Sequence, residues 1–212
     1  MEFFSYFVTH SDLIADSIIR HFLLFLISMA FAIVVGIFLS IVITREGHEK
    51  VGQVILSITG ASQAVPSVAV IALVFLFIGI GMKPALVALV IYSLVPIVFN
   101  ATSGILSVDP GVLEAAKGMG LTKSQRLWHI KIPLAMPVIM SGIRSSATIN
   151  IGTVTVAAII GAGGLGDIIY TGLKLNRPEM IFIGAGLAAI IAILVDTVLM
   201  YVERKVTPKG LA

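Results

Sequence analysis

From Phe22 to Thr44 no residue carries a charge, and none does from Val51 to Met82. No other property of the chain narrows its fold so far. A helix crossing a hydrocarbon core of about 30 Å needs about 20 predominantly apolar residues. A helix that is apolar all round is buried in a large core or in a bilayer, and 212 residues leave room for few such cores. Composition points the same way. Hydrophobic residues make up 58% and charged residues 12%, against about 25% charged in soluble domains, and mean hydropathy is +1.09. The chain reads as an all-α integral membrane protein.

Charged residues divide it into five apolar blocks, which predict helices at about 22–44, 54–80, 84–107, 134–160 and 180–202 in a single domain over 1–212. The second block is too long for one straight span: residues 51–82 would make a helix of about 48 Å. Gly60, Gln63 and Pro66 mark its expected break. Broken backbone at membrane depth is tolerated where it faces protein or a water-filled cavity. Gln63 to Ser67 is therefore either a pathway lining or a proline kink packed on a neighbour. Within the fourth block, Arg144 either snorkels to the interface or forms an ion pair. In the fifth, Gly184, Ala188 and Ala192 fall at i, i+4 and i+8, a small-residue stripe suited to close helix approach. Asp196 continues that stripe, with a structural hydrogen bond as its expected use.

Lysine and arginine set the orientation. Arg45, Lys50, Lys117, Lys123, Arg126, Lys131, Arg204, Lys205 and Lys209 fall on one side; Arg20, Lys83, Lys174 and Arg177 fall on the other. This bias predicts the N-terminus outside, with the C-terminus and the polar segment 109–133 inside. No cleavable signal peptide is expected, because Glu2, Asp12 and Asp16 precede the first apolar run and no basic region does.

Several chemistries find no support. There is no cysteine, and His10, His21, His48 and His129 are scattered without metal-ligand spacing. No P-loop is present, so ATP must be handled elsewhere if it drives anything. Gly161, Gly163 and Gly166 match G-x-G-x-x-G, yet a membrane helix precedes them and no acid follows at the right distance. They are better suited to ending a helix and turning the external loop 161–179, which also holds a short amphipathic piece. The net charge of +3 reflects topology rather than nucleic-acid binding. Neither a catalytic triad nor a carboxylate pair is visible.

The polar segment 109–133 carries its own folding signals. Asp109 is an N-cap and Pro110 suits the first helical position. Gly118 or Gly120 can end that helix in a left-handed cap. Thr122 opens a second helix with Gln125 at capping-box spacing, and Pro133 is expected to close it. Trp128 is expected either to pack this loop against its neighbours or to touch a partner subunit, with packing the preferred use.

Within the segment stand Glu114-Ala115-Ala116, then Gly120, Ile130 and Ile132-Pro133. This pattern resembles the EAA loop of ABC-importer permeases, which has Leu where this chain has Ile132. The runs ASQAVPSVAV, YSLVPIVFNATSGI, IGAGGLGDII and ERKVTPKGL resemble permeases of the Opu/ProW type, which import quaternary-ammonium osmoprotectants such as glycine betaine, carnitine and choline. The resemblance implies a multi-pass permease of the bacterial cytoplasmic membrane that is not itself an enzyme. Its partners would be a second permease (the same chain or a paralogue), two ATPase subunits and an external substrate-binding protein, soluble or lipid-anchored. ATP and magnesium would bind in the ATPase, with no cofactor in this chain. Glu114, Ala115, Ala116, Gly118, Gly120, Ile130, Ile132 and Pro133 would couple to the ATPase. Gln63, Pro66, Tyr92, Asn100 and Asn150 are pathway candidates at a dimer interface. The alternative is a permease of another ABC importer for small polar solutes; an ATP-independent transporter or channel is the rival class, disfavoured because Asp196 is its sole candidate coupling acid.

Overall fold

The uncharged runs become helices, although several of those helices do not stop where the charges begin. A computed structural model describes residues 2–45 and 47–207. Lys209 and the end of the run ERKVTPKGL lie outside the described residues. The elements are α1 (Glu2–Thr9), α2 (Ser11–Ile43), α3 (Glu49–Ser62), α4 (Ser67–Ile78), α5 (Met82–Leu106), α6 (Pro110–Gly118), α7 (Lys123–Arg126), α8 (Ile132–Ala157), α9 (Leu165–Leu175) and α10 (Pro178–Val206). Four stretches are long and apolar enough to span a membrane: Ser11–Ile43, Met82–Leu106, Lys123–Ile160 and Pro178–Val206. The pair α3 and α4 supplies a fifth if counted as one broken span.

The break falls where proline chemistry puts it. At the end of α3 the backbone tightens, with Gln63 N–H donating to the Gly60 carbonyl and Ala64 N–H to that of Ala61. Pro66 then stands extended at φ −62°, ψ 137°. Its ring removes a donor and disfavours helical angles at Val65. The first span begins earlier than its charges suggest, at Ser11 instead of Phe22. Asp12, Asp16 and Arg20 do not end the helix, because at i, i+4 and i+8 all three lie on one exposed stripe. Ile14 is buried behind them.

The chain divides into two compact units, Met1–Ala32 with Val65–Ser93 and Ala147–Asp196, and Ile33–Ala64 with Leu94–Ser146 and Thr197–Ala212. Arg20, Lys83, Lys174 and Arg177 all fall in the first unit, and the other described lysines and arginines in the second.

In the first unit, α9 packs on the start of α10. Leu165, Ile168, Met180, Ile183 and Ala188 form a buried cluster with Ile14. Gly184 of the small-residue stripe is one point of close approach between the two helices. A Cβ there would lie 2.7 Å from Ile169 Cγ1 and 3.1 Å from the Leu165 carbonyl. The expected glycine turn is present, with φ of 76°, 82° and 87° at Gly161, Gly163 and Gly164. Gly81 N–H bonds the Ile160 carbonyl at 2.8 Å and ties the α4–α5 turn to this corner.

In the second unit, helices touch through small residues, as expected where lipid removes any hydrophobic drive between helices. A Cβ on Gly142 would stand 2.6 Å from Asn100 Cβ, and one on Gly36 would stand 2.7 Å from Ile97 Cγ2. Arg144 is held in an ion pair, with Nη1 2.8 Å from Glu203 Oε2. Two buried hydroxyls are satisfied within their own helix, Ser40 Oγ donating to the Gly36 carbonyl and Thr44 Oγ1 to that of Ser40, whereas Thr102 Oγ1 is buried without a partner. Asp196, the last residue of the first unit, is half-buried and partnered.

Candidate functional site

The polar segment after α5 folds through local capping. Asp109 Oδ1 accepts from the N–H groups of Gly111 and Val112 at 2.7 and 3.2 Å. Such a cap is worth about 1 kcal/mol. Pro110 starts α6 at a position whose missing N–H costs nothing. The helix ends in a closed turn, with Met119 N–H bonding the Ala115 carbonyl and Leu121 N–H that of Ala116. Gly120 makes this possible at φ +81°. No atom stands within 4 Å of where its Cβ would be, so the backbone angle and not crowding demands glycine.

Thr122 then opens α7 with a complete capping box. Its Oγ1 accepts from Gln125 N–H at 3.3 Å, and Gln125 Oε1 accepts from Thr122 N–H at 2.9 Å. Arg126 folds back to donate to the Leu121 carbonyl. It is 8% exposed despite its charge.

Pro133 does not close this helix, contrary to the expectation from sequence. Residues Leu127–Lys131 form a π-helical turn, and Ile132 N–H bonds the Leu127 carbonyl five residues back. The widened turn accommodates the proline ring at the second position of α8, so the helix runs on. Trp128 also departs from expectation. It is 56% exposed rather than packed into its neighbours.

The EAA residues separate by face. Ala116 is 1% exposed and points inward. Glu114, Ala115, Gly118 and Gly120 are exposed; Ile130, Ile132 and Pro133 are half-buried. Beside the motif, Val112 and Met119 are 42% and 71% exposed. Val112, Ala115 and Met119 stand at i, i+3 and i+7, which makes one apolar ridge on the helix surface. That spacing suits a helix laid into a groove of another protein. Sequence reasoning missed Val112 and Met119, although their helical spacing was the available signal.

The pathway candidates have differing surroundings. Gln63 and Pro66 are exposed at the α3–α4 break, and Tyr92 is half-buried. Asn100 is half-buried, its Nδ2 donating to the Pro96 carbonyl at 2.8 Å. Asn150 is wholly buried, with Nδ2 donating to Ser93 Oγ at 2.6 Å and to Ser28 Oγ at 3.0 Å. This fully bonded triad joins three helices by polar contacts, a structural use of Asn150 that the sequence did not disclose.

The family model described as "Binding-protein-dependent transport system inner membrane component" matches residues 32–208. The chain belongs to this family. The permease is 42% identical over 192 residues to the glycine betaine/carnitine/choline transport system permease protein OpuCB of Bacillus subtilis strain 168, covering 91% of this chain and 88% of that protein. It is 35% identical to the osmoprotectant import permease protein OsmW of Salmonella typhimurium over 100% of both chains. Its fold is that of a chain from the inward-facing MetNI methionine ABC transporter, with a TM-score of 0.82 over 94% of this chain and 99% of that one at 21% identity. The permease is thus a multi-pass inner-membrane transport component, and its capped segment 109–133 carries the residues that resemble an EAA loop.

Proposed function

We propose that this permease is the membrane subunit of an ATP-driven importer for quaternary-ammonium osmoprotectants such as glycine betaine, carnitine or choline. The observation that carries the reading is the 42% identity, over nine-tenths of the chain, to a Bacillus permease named for those three solutes. The EAA loop serves as the coupling element. Glu114 and Ala115, with the Val112–Met119 ridge, meet a groove on an ATPase subunit, which holds ATP and magnesium and does the hydrolysis. Ala116, Gly118, Gly120, Ile130, Ile132 and Pro133 set the shape of the loop. Two permease subunits, identical or paralogous, enclose the pathway at their interface. Gln63, Pro66, Tyr92 and Asn100 are its candidate lining, and Asn150 acts from behind. An external binding protein, soluble or lipid-anchored, delivers substrate. The charge bias supports a cytoplasmic EAA loop.

The test is uptake of labelled glycine betaine, carnitine and choline into cells that lack their own osmoprotectant transport. The permease is co-expressed there with its ATPase and binding protein. ATP-dependent uptake of at least one of the three is expected, lost in Glu114→Ala and Gly120→Val variants that still accumulate in the membrane. Equal uptake without the ATPase would place the protein among ATP-independent transporters.

A further inference from the structure

A groove of about 770 Å³ lies beside the EAA loop, wholly within the second unit. One wall is the apolar face of α2, where Val34, Ile37, Phe38 and Ile41 line it. Val34 and Phe38 are 70% and 63% exposed on the protein itself. The far end is different in kind. Arg45, His48, Lys123 and Lys131 gather there, with Trp128 beside them. No acidic residue is among the described residues that line the groove.

Lys131 is the informative member. It is 7% exposed, sits in the π-helical turn and lines the groove. Among the described residues it has no hydrogen-bond or ion-pair partner. Its stem is buried, while its ammonium is not among the buried polar atoms left without a partner, so the charged head opens on the groove, where an anion suits it. The charges exclude the transported solute, because a quaternary ammonium head would meet like charge there. An apolar wall of about 12 Å, close to the depth of one leaflet, ending in cations and a tryptophan has the anatomy of a lipid seat at the membrane–water interface.

We propose that this groove binds an anionic phospholipid of the cytoplasmic leaflet. The phosphodiester sits at Lys131 and Arg45, one acyl chain lies along Val34, Phe38 and Ile41, and Trp128 covers the glycerol region. The leaflet rests on the reading that puts the EAA loop in the cytoplasm. The bound lipid pairs with the lysine of the π-helical turn, and so braces the point where the EAA loop joins α8.

Trp128 is the only tryptophan in the chain, so its fluorescence reports on this groove alone. The full-length permease in neutral detergent micelles is titrated with dibrominated phosphatidylglycerol or dibrominated phosphatidylcholine. Half-maximal quenching is expected at roughly tenfold lower mole fraction for phosphatidylglycerol. The double variant Arg45→Gln/Lys131→Gln abolishes that preference, and Lys131→Arg retains it. Identical curves for the two lipids, or a preference that survives the double substitution, would overturn the proposal. Native mass spectrometry of the permease with its ATPase supplies a second reading. Retained phosphatidylglycerol supports the site, and its loss on ATPase binding would assign the groove to a protein contact instead. The uptake assay separates this proposal from the transport reading: normal ATP-driven uptake with unselective quenching sinks the lipid site alone, and selective quenching without uptake sinks the transport reading alone.

Discussion

The permease turns its chain at two places by opposite means. The EAA loop is built from side-chain oxygens. Asp109, Thr122 and Gln125 each satisfy backbone N–H groups two or three residues away, and most of the loop is exposed. The turn before α9 is built from absent side chains, with positive φ at Gly161, Gly163 and Gly164 and burial from Ala162 to Gly166. Stiffness in the first loop is local and survives without neighbours, which suits a lever that must press on another protein. Stiffness in the second is borrowed from packing, which suits a plug that holds helices together. Substitutions at the two loops should therefore fail in different ways.

The largest effect is expected at the packed turn. A Cβ on Gly166 would collide with the Thr155 carbonyl and Ala158 Cβ, and one on Gly164 would stand 3.2 Å from the His21 backbone. Gly166→Leu should cost about 3 kcal/mol and abolish monodisperse protein on size exclusion. Normal yield would show that the turn yields easily and would erase the contrast.

Gly120→Val comes next. With open space around it, the cost is the left-handed angle alone, about 1–2 kcal/mol. The variant should accumulate in the membrane near the natural level while ATP-driven uptake falls at least tenfold. Loss of accumulation instead would mean that the EAA loop, too, depends on packing.

Asn150→Leu separates structural from pathway use. Ser28 retains a bond to the Leu24 carbonyl at 2.7 Å, so the loss should be about 1 kcal/mol, read as a lowered thermal midpoint with KM for substrate unchanged. A changed KM at unchanged midpoint would return Asn150 to the pathway.

The smallest effect is the pairing of Arg144 with Glu203, whose side chains are 28% and 24% exposed. A double-mutant cycle should give a coupling of about 0.5–1 kcal/mol. A larger value would mark this pair as a structural anchor comparable to the packed turn.

What was legible in the sequence follows the same division. Caps act over two or three residues, so Asp109, Thr122 and Gln125 could be read directly. Pro66 announced the helix break because its ring acts on its own and the preceding residue. Long-range partners left no such mark: Asn150 meets Ser28 and Ser93 across 122 and 57 residues. Pro133 misled because a π-helical turn, which has no simple sequence signature, absorbs it. Asp12, Asp16 and Arg20 misled because charge was read as a boundary when the three are only an exposed helix face. Lys131 gave no signal either, since burial of a lysine depends on what surrounds it.

The central claim is that the EAA loop presents a rigid ridge to a cytoplasmic ATPase. The chain contains no cysteine, so Met119→Cys creates a single reporter on that ridge. A membrane-impermeant maleimide should leave it unmodified in intact cells, modify it in inside-out vesicles, and lose that access when the ATPase is bound. Modification in intact cells, or equal modification with and without the ATPase, would contradict the account.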